Sequence, residues 1–141
     1  MLFHSTRGGD KDKDFASILM QGLADDGGLF MPDHWPQVDL EKIKGLQSFV
    51  EVAKEIVPLF TASSFTQAET IKIVENTWHD FEHQDLVGIQ TIENISVLEL
   101  FHGPTAAFKD FGLQLAAAFF NEVIEKEDKT AIVLGDTSGD T

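Results

Sequence analysis

Cysteine is absent from the 141 residues. Its absence removes disulfides, thiolate zinc sites and a cysteine nucleophile. Basic residues are scarce: 10 lysines and arginines against 24 aspartates and glutamates give a formal net charge of −14. A surface of that sign repels phosphate backbones and anionic lipid, so neither a nucleic-acid binder nor a polybasic membrane contact is expected. No apolar run approaches the ~18 residues of a membrane span, and the opening MLFHSTRGGDKDKD has no signal-peptide pattern. The expected location is cytoplasmic. No internal repeat or low-complexity segment is present.

The chain has 43% hydrophobic residues, ample for a core, and 24% charged residues, ordinary for a soluble globular protein. Its length suits one domain, or one small domain and the beginning of another. The first half reads as mainly helical. After a short apolar start, DFASILMQGLADDGG predicts an amphipathic helix. Phe15, Ile18, Leu19 and Leu23 recur at helical spacing, Asp14 caps the start, and Gly27-Gly28 stop it. LFMP reads as a short extended piece. Helical patterns follow at about 40–45 and 48–59, the second ended near Pro58. A third, from about 66 to 81, carries Ile71, Val74 and Trp78 on one stripe.

The pattern changes after Asp85. LVGIQTIENISVLELFHG, rich in β-branched residues, predicts two short strands broken near Glu93-Asn94. A helix over about 105–127, with Thr105 as N-cap, leads into TAIVLG, an apolar run typical of a strand covered on both faces. Strand, helix and strand make a βαβ unit and the beginning of a mostly parallel sheet. The domain boundary is placed between Phe81 and Val97. One βαβ unit cannot cover its own faces, so the chain is expected to be truncated after the loop GDTSGDT.

Lys109 stands in the first turns of the predicted helix, the end where a lysine is electrostatically disfavoured. The field of the helix start, together with Phe108 and Phe111, favours the uncharged amine that attacks an aldehyde. The same helix start offers N–H groups to an anion. The plainer alternative is a lysine that snorkels to water from a buried helix. The loop 135–141 follows a predicted strand, where ligands bind in open α/β sheets, and its backbone N–H groups with Thr137, Ser138 and Thr141 make an anion cradle. It lacks the Gly-Lys-Ser/Thr ending of a P-loop, and an ordinary turn fits it equally.

LELFHGPTAAFKDFG, followed a helix and a strand later by TSGDT, closely resembles the threonine synthase family. The resemblance covers the whole chain: STRG at 5–8 and GLADDGGLFMP at 22–32 are similar to the opening of the family's small N-terminal domain. It implies an α/β protein with a small mainly helical N-terminal domain, residues 1–84. Residues 85–141 would begin a fold type II, pyridoxal-phosphate-dependent open α/β catalytic domain. The implied activity is that of a lyase, converting O-phospho-L-homoserine and water to L-threonine and phosphate, the final step of threonine biosynthesis. The implied cofactor is pyridoxal 5'-phosphate. Lys109 matches the lysine that holds the cofactor covalently and, once freed by substrate, shuttles protons. Thr137, Ser138, Gly139, Asp140 and Thr141 match the loop that receives the substrate's α-carboxylate.

Two departures stand out. Asp136 precedes TSGDT where the family pattern has a small residue. The family's phosphate cup, the partner of the pyridine nitrogen and most substrate-phosphate ligands lie beyond Thr141, so the 141-residue piece alone is expected to be inactive. Two rivals remain. One is a non-catalytic relative that binds a partner or small ligand through its helical N-terminal part. The other is a zinc peptidase carried by His79, Glu82 and His83, which fit H-x-x-E-H if they lie on a helix. A solvated helix end is the plainer reading of HDFEH, and no metal is expected. Asp25-Asp26 suit a turn better than a metal. His102 is either near the active site or a hydrogen-bonded turn residue. Arg7 reaches an anionic substrate group or makes a surface ion pair. Phe108, Phe111, Phe119 and Phe120 read as core packing, with Ala116–Ala118 allowing close helix–sheet approach.

Overall fold

A computed structural model describes residues 1–135 and Gly139. Among them nine elements form: β1 (Phe3–Ser5), α1 (Phe15–Gln21), β2 (Phe30–Pro32), α2 (Leu40–Lys44), α3 (Phe49–Thr61), α4 (Gln67–Glu75), β3 (Gly88–Ile92), β4 (Ile95–Glu99) and α5 (Lys109–Glu127). Helices and strands share the chain, as the expected α/β class requires. The chain divides into two units, Met1–Glu75 and Asn76–Thr141.

In the first unit β1 and β2 pair antiparallel, with Phe3 opposite Pro32 and Ser5 opposite Phe30. Phe3 also exchanges backbone hydrogen bonds with Lys13, at 2.8 and 3.0 Å. Asp14 caps α1 as expected, accepting the Ser17 N–H at 2.7 Å. The helix stops earlier than Gly27-Gly28. Gly22 turns left-handed at φ 76 and its N–H closes on the Ile18 carbonyl at 2.9 Å. The Ser63 and Ser64 hydroxyls accept the Phe15 and Ala16 N–H groups at 3.0 and 2.9 Å, which fixes α1 to the turn after α3.

Ser48 caps α3 through the Glu51 N–H. Pro58 does not end this helix, which continues to Thr61. A proline ring fixes a helical φ and removes one donor, and packing outweighs that loss here. Thr66 and Glu69 form a reciprocal cap at the start of α4. α3 and α4 pack together, and the Thr61 and Thr70 hydroxyls meet at 2.8 Å where both are buried. Phe15 lies between Phe3 and Phe65, with ring centroids 6.4 and 6.2 Å away. α4 ends at Glu75, short of the expected 81. Trp78, at φ 63, cannot continue a right-handed helix.

The Asp25-Asp26 segment is a turn, as expected. The Asp26 carboxylate accepts from the Ser5 hydroxyl at 2.6 Å, the Gly9 N–H at 2.8 Å and the Gly28 N–H at 2.9 Å. The Ser5 hydroxyl first, then these N–H groups and Arg7, hold its carboxyl below the usual range. Asp10 accepts the Asp25 N–H at 2.8 Å, with Lys13 and Gln21 beside it, and is lowered likewise.

In the second unit β3 and β4 form the expected pair of strands as an antiparallel hairpin, Gly88 opposite Glu99 and Ile92 opposite Ile95. Glu93 enters the two-residue loop at φ 56. The buried apolar side chains of this unit are Trp78, Leu86, Phe119 and Val123. The run 131–134, expected as a covered strand, carries no regular structure, and Ile132 and Leu134 are 90% and 92% exposed. A strand exists only while a neighbour takes its N–H and C=O groups, and no described strand pairs with this segment. Both pairings among the described residues are antiparallel, so the expected parallel βαβ arrangement is not formed by them. Among the described residues no helix is long and apolar enough to cross a membrane.

Candidate functional site

The segment 103–112 is built backwards from its helix. α5 begins at Lys109 rather than near Thr105, and Phe108 occupies the N-cap without a side-chain hydrogen bond. Thr105 is therefore not the cap. Its N–H instead donates to Asp110 Oδ2 at 2.9 Å, so the chain folds into a tight turn ahead of the helix. Ala106 completes that turn at φ 56, donating its N–H to the Gly103 carbonyl at 2.9 Å. A Cβ on Gly103 would lie 2.4 Å from Asp110 Oδ2, a separation only glycine permits. The Asp110 and Phe111 N–H groups close on Ala107 and Phe108 at 3.1 and 3.3 Å, tightening the first turn.

Lys109 is half-buried, and its Nζ lies 5.3 Å from the centroid of the Phe108 ring. Phe108 is 59% exposed, so it flanks the amine instead of packing in the core as expected. Phe119 does pack, at 1% exposure. One turn beyond Lys109, on the same helix face, Gly112 leaves open space where a Cβ would sit. On the other flank the Trp78 indole N–H donates to the Phe111 carbonyl at 3.0 Å, and Phe81 meets Phe111 edge-on at 4.8 Å. These aromatic contacts brace the helix start.

His102 is a hydrogen-bonded residue of the approach to this turn. Its Nε2 is 3.0 Å from Glu99 Oε2, its carbonyl accepts the Glu82 N–H at 3.0 Å, and its ring lies 4.7 Å from that of His83. His79, Glu82 and His83 are not on a helix, which removes the shared face that the zinc reading needs. Among the described residues no group of three His, Asp or Glu could hold a metal ion. Arg7 donates to the Asp26 carbonyl at 3.0 Å, within the first unit. Of the loop expected to take a carboxylate, Gly139 is exposed at φ 113. Asp136, Thr137, Ser138, Asp140 and Thr141 lie outside the described residues.

Sequence reasoning did not single out Asp110, the buried acid at the heart of the turn. The available signal was an acid directly after the first helical residue, seven positions beyond a glycine.

The family model "Threonine synthase N terminus" matches residues 2–78, more than half of the chain. The chain belongs to the threonine synthase family. It is 41% identical over its whole length to "Threonine synthase" of Pseudomonas aeruginosa, of which it spans 31%. A "Threonine synthase" of Schizosaccharomyces pombe is 38% identical over 97% of the chain, which covers 29% of that protein. Among solved structures, the "PLP bound Threonine synthase from Brucella melitensis" superposes with a TM-score of 0.82 at 39% identity, covering 89% of this chain and 28% of that one. The chain thus spans less than a third of the length of these relatives.

Pyridoxal phosphate is held through a primary amine, and Lys109, half-buried on the first turn of α5 one turn before the open Cβ position of Gly112, supplies one.

Proposed function

We propose that the protein carrying this sequence is a threonine synthase, converting O-phospho-L-homoserine and water to L-threonine and phosphate with pyridoxal 5'-phosphate, in the cytoplasm. In this reading residues 1–84 are the family's N-terminal domain and 85–141 begin a fold type II catalytic domain. Lys109 holds the cofactor covalently through Nζ, and the same nitrogen, once released, carries protons. Thr137, Ser138, Gly139, Asp140 and Thr141 receive the substrate α-carboxylate. When bound, pyridoxal phosphate supplies the electron sink that spreads charge left on the substrate carbon after proton removal.

The reading is carried by one observation. In a chain matched along its whole length by threonine synthases, Lys109 is the first residue of α5, one turn before Gly112, whose Cβ position is open. The Phe108 ring sets apolar surface beside the amine, its centroid 5.3 Å from Nζ.

The test is chemical. Borohydride reduction of the cofactor-loaded complete gene product, followed by peptide mapping, is expected to leave the pyridoxyl group on Lys109. Lys109→Ala is expected to lower turnover of O-phospho-L-homoserine by roughly 10²–10⁴-fold, the range for loss of a positioned acid–base group. A tag on another lysine, or wild-type turnover in Lys109→Ala, refutes the assignment.

A further inference from the structure

A carboxylate is an unusual neighbour for a lysine that must remain available to an aldehyde, because the two would readily pair. Asp110 directly follows Lys109, yet its side chain turns away from solvent: the residue is only 5% exposed. Its Oδ2 accepts the Thr105 N–H at 2.9 Å, and the carboxylate lies against the backbone of Gly103. Consecutive helical side chains diverge by about 100°, so a carboxylate fixed on one side sets the direction of the side chain before it. The turn that it closes contains Ala106 at φ 56, a conformation that an alanine rarely holds unsupported. Removing the carboxylate would free both the turn and the first residue of α5.

We propose that Asp110 is the positioning residue for Lys109, locking the 103–106 turn so that the amine is presented in one direction. The inference rests on the reading of Lys109 as the cofactor lysine. Asp110 touches neither cofactor nor substrate in this role; it acts through the backbone that carries Lys109. The carboxylate is directed into the turn, and the amine lies beside the Phe108 ring.

The test uses the apoprotein form of the complete gene product with pyridoxal 5'-phosphate as probe. Covalent capture at Lys109 is followed by borohydride quenching at timed intervals. Asp110→Ala is expected to slow capture by about 10–100-fold, the scale of a misplacement near 1 Å. Asp110→Asn keeps an acceptor for the Thr105 N–H and is expected to restore most of the rate. Val123→Ala, a buried truncation further along α5, serves as the stability control and is expected to lower the melting temperature without slowing capture. Independently of any variant, the Thr105 amide of the wild-type apoprotein is expected to be protected from hydrogen exchange.

Wild-type capture rates in Asp110→Ala overturn the proposal, as does equal slowing in Val123→Ala or rapid exchange at Thr105. Those results leave the assignment of Lys109 standing. Wild-type protein that captures nothing at Lys109 overturns that assignment, and the role of Asp110 falls with it.

Discussion

Gly28→Ala tests the tightest packing around a glycine in the first unit. Gly28 is buried, and an added Cβ would lie 2.2 Å from Ser5 Oγ and 3.0 Å from both Asp26 Oδ1 and Thr6 Oγ1. Ordinary contact begins near 3.4 Å, so something must move by about 1 Å. Ser5 is 2% exposed, and its hydroxyl donates to Asp26 at 2.6 Å while accepting the Arg7 N–H at 3.1 Å. Rotating it away would break both bonds. The substitution therefore falls at the upper end of the overpacking range, and we expect a loss of about 3 kcal/mol. That is roughly a 100-fold change in the folded-to-unfolded ratio. Urea unfolding followed by circular dichroism should show a lower midpoint with an unchanged slope. In a Ser5→Ala background the added methyl no longer meets the hydroxyl, and its cost should fall by about 2 kcal/mol, a coupling that a double-mutant cycle reads directly. Gly112→Ala is the control: nothing stands within 4 Å of its Cβ, and helix propensity should give a gain of up to about 1 kcal/mol in the apoprotein. Gly28→Ala within 0.5 kcal/mol of wild type, or purely additive costs in the cycle, would refute this packing argument.

Two further expectations concern acid and association. Asp26 and Asp10 have folded values held below the ordinary aspartate value of about 3.9. Their contribution is thus complete above that unfolded value and is lost as pH falls through the folded one. Urea midpoints should drop below about pH 4, and Asp26→Asn should flatten that acid limb; an unchanged limb would sink the linkage. Ile89, Ile92, Ile95 and Leu98 on the hairpin and Ile132, Val133 and Leu134 beyond α5 are exposed. The 141-residue polypeptide alone should therefore self-associate. Light scattering should show less association when Ile132, Val133 and Leu134 are changed to serine, and equal association in both would count against the exposed run as its cause.

What could be read in the sequence follows the range of the interactions involved. Asp14 and Ser48 cap helices through N–H groups three residues away, so their starts are visible locally. Glu93-Asn94 between two β-branched runs likewise marks the hairpin. The misplaced ends depend on contacts that no window of sequence shows. α3 runs past Pro58 into the buried Thr61–Thr70 pair, and α4 stops where Trp78 turns left-handed and donates its indole N–H to Phe111. The Lys109 motif was legible as a resemblance. The start of α5 was displaced because Thr105, a good cap by type, has its N–H taken by Asp110. The covered strand expected at 131–134 is not formed, for the converse reason. Its composition suits burial, but burial requires pairing partners that periodicity does not supply.

Asp26 and Asp110 use the same device in separate units. A carboxylate seated against bare glycine backbone can accept an N–H at close range, because no Cβ keeps it away. A Cβ on Gly9 would lie 2.7 Å from Asp26 Oδ2, and one on Gly103 would lie 2.4 Å from Asp110 Oδ2. Burying a carboxylate is unfavourable unless donors meet it, and an apolar residue could fill either space at less desolvation cost. What an apolar residue cannot do is hold a turn by its N–H groups in one conformation. Around Asp26 that turn organises the strands of the N-terminal unit. Around Asp110 it lies five residues before the carboxylate and directly ahead of Lys109. Part of the acidic surplus of this chain is therefore architectural, fixing backbone where glycine would otherwise leave it loose.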